Sequence, residues 1–265
     1  MSKPEVWDSG NAYEPYVGRW SRRVAPAFLD WAEIPAGRAL DVGCGTGALS
    51  KALIDHHARH VIGIDSSAAY ATHATARVRR NAARASFIVG DAAALPFPAE
   101  TFDASVCGLV LNFVPQQLVA VREMRRVVRN GGVVAGYVWD YAGRMELMRY
   151  FWNVAVELDP QRAGPLDEGV RFPICHPERL AELFKDGGLV AIRSAPIDVQ
   201  TVFRDFDDYW QPFLGGQAPA PRYAMSLEPR KREQLRDLIR SHLPIRSDGT
   251  IHLIARAWAV RGETS

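Results

Sequence analysis

The chain has 265 residues, 48% hydrophobic and 23% charged, which is enough apolar material for a full core and excludes a disordered or low-complexity protein. Its 32 basic and 30 acidic residues leave a net charge of +2, too weak a field to argue for a nucleic-acid or membrane-surface partner. Cys44, Cys107 and Cys175 are odd in number and far apart, which excludes a disulfide scaffold and gives no metal-ligand spacing, so reduced thiols in a cytoplasm are expected.

The length suits a single domain over 1–265, one α/β core with insertions. Neither a signal peptide nor a bilayer-spanning run is expected. The segment 1–36 precedes the first strand and carries Trp7, Tyr13, Tyr16 and Trp20. From Arg38, short apolar runs alternate with helical patterns, as in repeated βαβ units with a buried parallel sheet. The runs are Ala39 to Val42, His60 to Ile64, Ser86 to Val89, Ala104 to Leu111 and Val133 to Val138. A helix is expected from Pro115 to Arg129, with Leu118, Val121, Met124 and Val128 on one face and a stop at Asn130, Gly131 and Gly132. Another starts near Pro177 and stops at Gly187 and Gly188. Val190 to Val202 and Thr250 to Val260 read as two further strands around a charged helix from Glu228 to His242. The fold expected is α/β: a doubly wound, seven-stranded, mostly parallel sheet with an antiparallel edge strand, plus cap insertions.

Two stretches break the alternation, 141–176 and 203–227. Each follows a strand, on the edge where an open α/β sheet opens its ligand crevice. Their aromatic residues, Trp152 and Trp210 among them, suit either a pocket for a flat apolar molecule or the core of the cap itself.

The strongest chemical signal is Asp41-Val42-Gly43-Cys44-Gly45-Thr46-Gly47, a buried strand running into a glycine turn and then a helix start with free N–H groups. Asp65 ends the second strand about 20 residues later, where a carboxylate can accept both ribose hydroxyls; ahead of Ser66 and Ser67 a helix cap is the alternative role. Asp91 ends the third strand and is placed for an adenine amino group. Two acids and a glycine turn on three consecutive strands describe a nucleoside site.

These residues, followed by Gly90-Asp91-Ala92-Ala93-Ala94-Leu95-Pro96-Phe97, Leu109-Val110-Leu111-Asn112-Phe113-Val114-Pro115 and the Arg122 to Gly132 helix and turn, resemble the successive motifs of class I S-adenosylmethionine-dependent methyltransferases. The resemblance covers roughly residues 37–140 and is to the subgroup that includes the ubiquinone and menaquinone biosynthesis enzymes. It implies S-adenosyl-L-methionine as cofactor. Asp41, Gly43, Cys44, Gly45 and Gly47 would surround its methionine part, Asp65 with Ser66 its ribose, and Asp91 with Ala92 its adenine, while Leu109 and Val110 would lie near the sulfonium. Tyr16 and Arg19 belong to a run that closes over the cofactor in similar proteins, with an aromatic face for the sulfonium and a guanidinium for the carboxylate. Asn112 stands where such proteins often carry a histidine.

The function expected is methyl transfer to an O, N or C nucleophile of a small, apolar or aromatic molecule. The cofactor carries the reactive group, so the protein must align the partners and exclude water. Asn112, Asp140, Tyr141 and His176 could each serve as a base, and no pattern distinguishes one of them. The rival readings are an NAD(P)-dependent oxidoreductase, a nucleic-acid methyltransferase suggested by Arg77, Arg79, Arg80 and Arg84, and a non-catalytic S-adenosylmethionine-binding protein. Against the first, no lysine stands at Tyr-x-x-x-Lys spacing. Against the second, no Asn-Pro-Pro-Tyr motif ends the fourth strand. The sequence carries no signal for oligomeric state.

Overall fold

The short β-branched runs become strands because both of their faces are covered, and the glycine turns between them release helices. The computed structural model describes residues 14–78, 83–216 and 218–265; Trp7, Tyr13, Arg79 and Arg80 lie outside them. In chain order the elements are α1 (Arg19–Ala32), β1 (Arg38–Val42), α2 (Ala48–Asp55), β2 (His60–Asp65), α3 (Ala68–Arg77), β3 (Ala85–Val89), β4 (Phe102–Gly108), α4 (Gln117–Val127) and β5 (Val128–Trp139). There follow α5 (Glu146–Leu158), α6 (Pro177–Asp186), β6 (Val190–Phe203), α7 (Phe206–Trp210), α8 (Pro219–Ser226), α9 (Pro229–His242) and β7 (Ile251–Glu263). The seven strands form one sheet in the order β3-β2-β1-β4-β5-β7-β6. β1 to β5 pair in parallel, β7 and β6 complete an antiparallel edge, and helices cover both faces. This is the doubly wound sheet expected, with its change of winding direction between β1 and β4.

Two boundaries differ from the sequence reading. β4 ends at Gly108 rather than at Leu111, because Leu109 takes a left-handed φ of 60° and Leu111–Phe113 form a 3-10 turn. The helix α4 passes into β5 without the stop expected at Asn130 to Gly132. The Gly131 N–H donates to the Thr264 carbonyl, and the Thr264 N–H to the Gly132 carbonyl, so the C-terminal residues satisfy groups that a turn would have left free.

The chain divides into two compact units. The first comprises Ser21–Val138, Ile174–Ile197 and Ala257–Ser265 and holds the glycine turn and the acidic strand ends. Its core is set by Phe28 of α1, 4.6 Å from the ring of Tyr137, with Leu40, Val61, Val106 and Val134 fully enclosed.

The second comprises the described part of Met1–Trp20, with Trp139–Pro173 and Asp198–Arg256. In this unit Leu147, Met148, Phe151, Trp152, Val154 and Ala155 make one face of α5, at the spacing of an amphipathic helix, and pack into an aromatic cluster. Phe151 stacks on Phe213 at 4.6 Å and meets Trp152 edge to face at 5.2 Å. The Tyr209 hydroxyl donates to the Leu147 carbonyl at 2.8 Å, and the Trp152 indole donates to the buried carboxylate of Glu168. Among the described residues no helix is long and apolar enough to cross a membrane.

Candidate active site

The site is built at the carboxyl ends of β1, β2, β3 and β4, where parallel pairing aligns Asp41 with Gly63 and with Val106, and Asp65 with Val89. The turn after β1 is fixed from β2, since the N–H groups of Gly43 and Cys44 both donate to the Ile64 carbonyl at 2.8 and 3.0 Å. Gly43 has φ +68°, and a Cβ there would lie 2.4 Å from a methyl of Val110; only glycine accepts both the conformation and the contact. Gly45 differs. Its φ is +50°, yet a Cβ would have nothing within 4 Å, so the backbone at that point borders open space into which a ligand can come close. Gly47, also left-handed, forms the N-cap of α2 without a side-chain hydrogen bond, leaving N–H groups of that helix start for an anionic or polar ligand.

Asp41 lies beneath this turn and is only 1% exposed. The Ser50 hydroxyl donates to its Oδ2 at 2.6 Å, whereas its Oδ1 has no partner among the described residues. Burial, with the nearby Asp65 carboxylate adding to it, pushes the Asp41 carboxyl up to about 7, against the hydrogen bond from Ser50. With no cation beside it among the described residues, burial favours the protonated form of this carboxyl. Cys44 and Cys107 are buried near the same carboxylates, and burial raises both thiols; they are apolar wall, not nucleophiles.

Asp65 serves as both cap and ligand candidate. Its Oδ2 accepts from the Gly45 N–H and its Oδ1 from the Ser67 N–H, each at 2.9 Å, and Ser67, not the exposed Ser66, caps α3 through its hydroxyl. Burial raises this carboxyl while the two backbone donors lower it. Each oxygen keeps a further lone pair for a hydroxyl. Asp91 is exposed beside Ala92, and its Oδ1 accepts from the Ala93 N–H at 2.9 Å. The Gly90 N–H donates to the Asp65 carbonyl at 2.9 Å, which brings the two acidic strand ends together. Leu109 completes this edge, its N–H donating to the Tyr137 carbonyl at 2.7 Å.

Tyr16 and Arg19 lie in the other unit. The Tyr16 ring is buried edge-on to Phe213 at 5.4 Å. The Arg19 guanidinium donates to Asp208 Oδ1 at 2.9 Å and rests over Trp20 and Phe203 at 4.4 and 4.7 Å, so its charge is matched there. Three of the four base candidates have structural partners. Asp140 accepts from the N–H groups of Gly143 and Arg144; Tyr141 is buried 5.9 Å from Phe172; His176 lies largely in solvent beside Glu178. Sequence reading missed Ser50, which lies nine residues past Asp41 on the buried side of α2; its spacing from the acid is the signal that could have found it.

Residues 40–136 match the family described as "Methyltransferase domain". A demethylmenaquinone methyltransferase of Roseiflexus sp. (strain RS-1) is 34% identical over 209 residues, covering 65% of this chain and 84% of that protein. The chain belongs to the class I S-adenosylmethionine-dependent methyltransferases. Its subgroup is that of the quinone methyltransferases, with a 2-methyl-6-phytyl-1,4-hydroquinone methyltransferase of Synechocystis sp. 29% identical over 69% of this chain and 56% of that protein. The crystal structure of YcgJ from Bacillus subtilis shares the fold, with TM-score 0.61 and 19% identity over 91% of this chain and 98% of that one. S-adenosylmethionine is the cofactor of this methyltransferase, and it supplies a methyl group on a sulfonium. The site fits it: a glycine turn with open space at Gly45, a carboxyl oxygen without a partner at Asp41, and two strand-end carboxylates.

Proposed function

We propose that this methyltransferase acts on a hydroxylated aromatic ring of the reduced-quinone type. The observation that carries the reading is the 34% identity to a demethylmenaquinone methyltransferase across 84% of that protein, far beyond the cofactor motifs alone. An acceptor of this class is neutral and flat, in keeping with a chain of near-zero net charge. A cytoplasmic location goes with the proposal, supported by three cysteines that are all free and buried.

In this reading Asp41 ionises when the cofactor's ammonium reaches its unpartnered oxygen, Gly45 and Gly47 admit the methionine part, Asp65 accepts from the ribose hydroxyls and Asp91 from the adenine amino group. The chain's task is alignment and exclusion of water, since the methyl donor already carries the driving force. Incubating the protein with S-adenosylmethionine and a panel of phenols, hydroquinones, amines and carboxylic acids tests it. Transfer confined to hydroquinones or phenols is expected; transfer to amines or carboxylates alone would reject the acceptor class.

A further inference from the structure

At the junction of β1 and β4, the residues after β4 form a turn fixed by contacts to Gly43, Tyr137 and Gln117. The Val110 side chain packs on Gly43, the Leu109 N–H is fixed to the Tyr137 carbonyl, the Phe113 N–H donates to the Val110 carbonyl at 2.8 Å, and the Gln117 side chain donates to the Leu111 carbonyl at 3.0 Å. Within this turn Asn112 is only 7% exposed, and its Nδ2 is buried with no partner among the described residues. An amide donor taken from water without a new acceptor destabilises the fold. Leu109, the residue directly after Gly108, where the pairing of β4 with β5 ends, holds a left-handed φ of 60°, a conformation leucine adopts only where the surroundings enforce it. Strain and an unused donor thus fall on one four-residue turn, at the point where an open α/β sheet takes its ligands and in contact with the cofactor's glycine turn.

We infer that Asn112 is the acceptor-recognising residue, donating an Nδ2–H hydrogen bond to a ring oxygen of the molecule that receives the methyl group. The inference rests on the hydroxylated-ring reading above. In the step it serves, the ring hydroxyl has lost its proton to solvent and the oxyanion's electrons reach the adjacent ring carbon. That carbon's electron pair forms the new bond to the methyl, the carbon–sulfur pair returns to sulfur as a neutral thioether, and the ring carbon then gives up its hydrogen as a proton to solvent. Asn112 stays neutral and lowers the cost of the oxyanion, as preorganised donors do where charge is held. An amide does this without being a base, which accounts for the lack of any dedicated proton acceptor among Asp140, Tyr141 and His176.

The test compares the full chain with Asn112→Leu, of similar volume without the donor, and Asn112→Gln, which keeps it. Thermal unfolding and S-adenosylhomocysteine titration are expected to be unchanged or slightly improved in Asn112→Leu, because an unpaired polar group is removed. With 4-nitrophenol added to the S-adenosylhomocysteine complex, the absorbance of the bound phenolate should appear about one pH unit lower in the wild type than in Asn112→Leu. With a reduced 2-prenyl-1,4-naphthoquinone as acceptor, kcat should fall roughly 10²-fold in Asn112→Leu and recover in part in Asn112→Gln. Lower unfolding temperature together with lost cofactor affinity would make Asn112 structural, and identical 4-nitrophenol titrations in the two proteins would overturn the inference. A wild type that shifts 4-nitrophenol but leaves the naphthohydroquinone unmethylated would reject the quinone reading and leave the role of Asn112 standing.

Discussion

Replacing Asp41 by asparagine should make the stability of the protein less sensitive to pH. The carboxyl has an ordinary value of 3.8 and is pushed up to about 7 in the fold, so the folded state keeps a proton that the unfolded chain has already lost. A raised carboxyl contributes most to stability below its unfolded value, and that contribution is lost as pH rises towards the folded value. Each pKa unit is worth about 1.4 kcal/mol. From about pH 5 to about pH 8 the unfolded carboxyl is already ionised while the folded one still loses its proton, a loss of roughly 2 to 3 kcal/mol of stability. Asparagine keeps the acceptor for the Ser50 hydroxyl and removes the titration. Urea unfolding of both proteins across that range should therefore show the variant gaining roughly 2 to 3 kcal/mol relative to wild type as pH rises. A constant difference would mean that Asp41 is ionised throughout, with a cation or water network beside it that the geometry does not supply.

Asp65→Ala should weaken S-adenosylhomocysteine binding by about 1.5 to 3 kcal/mol through loss of hydroxyl bonds to a charged acceptor; unchanged calorimetric affinity in the folded variant would restrict Asp65 to its bonds with Gly45 and Ser67. Gly45→Val should lower that affinity by at least ~10-fold, since a branched side chain both strains the left-handed turn and fills the open space beside it; normal affinity would place the cofactor elsewhere. Trp152→Ala should destabilise the protein by about 3 to 5 kcal/mol, because it empties the centre of an aromatic cluster and leaves the buried Glu168 without its indole donor. A chemical-denaturation loss below ~1 kcal/mol would contradict that placement.

The sheet was legible because its strands are continuous apolar runs and the intervening helices carry the 3.6-residue period, so β1, β2, β3, α6 and β6 fall within a residue or two of their expected bounds. The Asn130 to Gly132 stop was misread because glycine signals a chain reversal only when nothing else satisfies its backbone, and here Thr264, more than 130 residues away, does so. The helical face of α5 was hidden by a neighbourhood of prolines and single-turn helices that interrupts any long period. In the site, Asp41, Gly45, Asp65 and Asp91 were singled out by the glycine turn, the two acidic strand ends and the family resemblance. Their states were not: the raised carboxyl of Asp41 follows from its burial, and the amide of Asn112, unpaired among the described residues, follows from what surrounds it in space. Nor could the sequence show that Arg19 meets Asp208, 189 positions later.

The reaction proposed for this chain is transfer of a methyl group to a hydroxylated ring. The most direct measurement is mass spectrometry of a reaction containing the full chain, S-adenosylmethionine and a reduced 2-prenyl-1,4-naphthoquinone. One methyl group gained by the ring with equimolar S-adenosylhomocysteine is the predicted result, and a protein that binds the cofactor tightly yet returns the naphthohydroquinone and every other ring acceptor unchanged would contradict it.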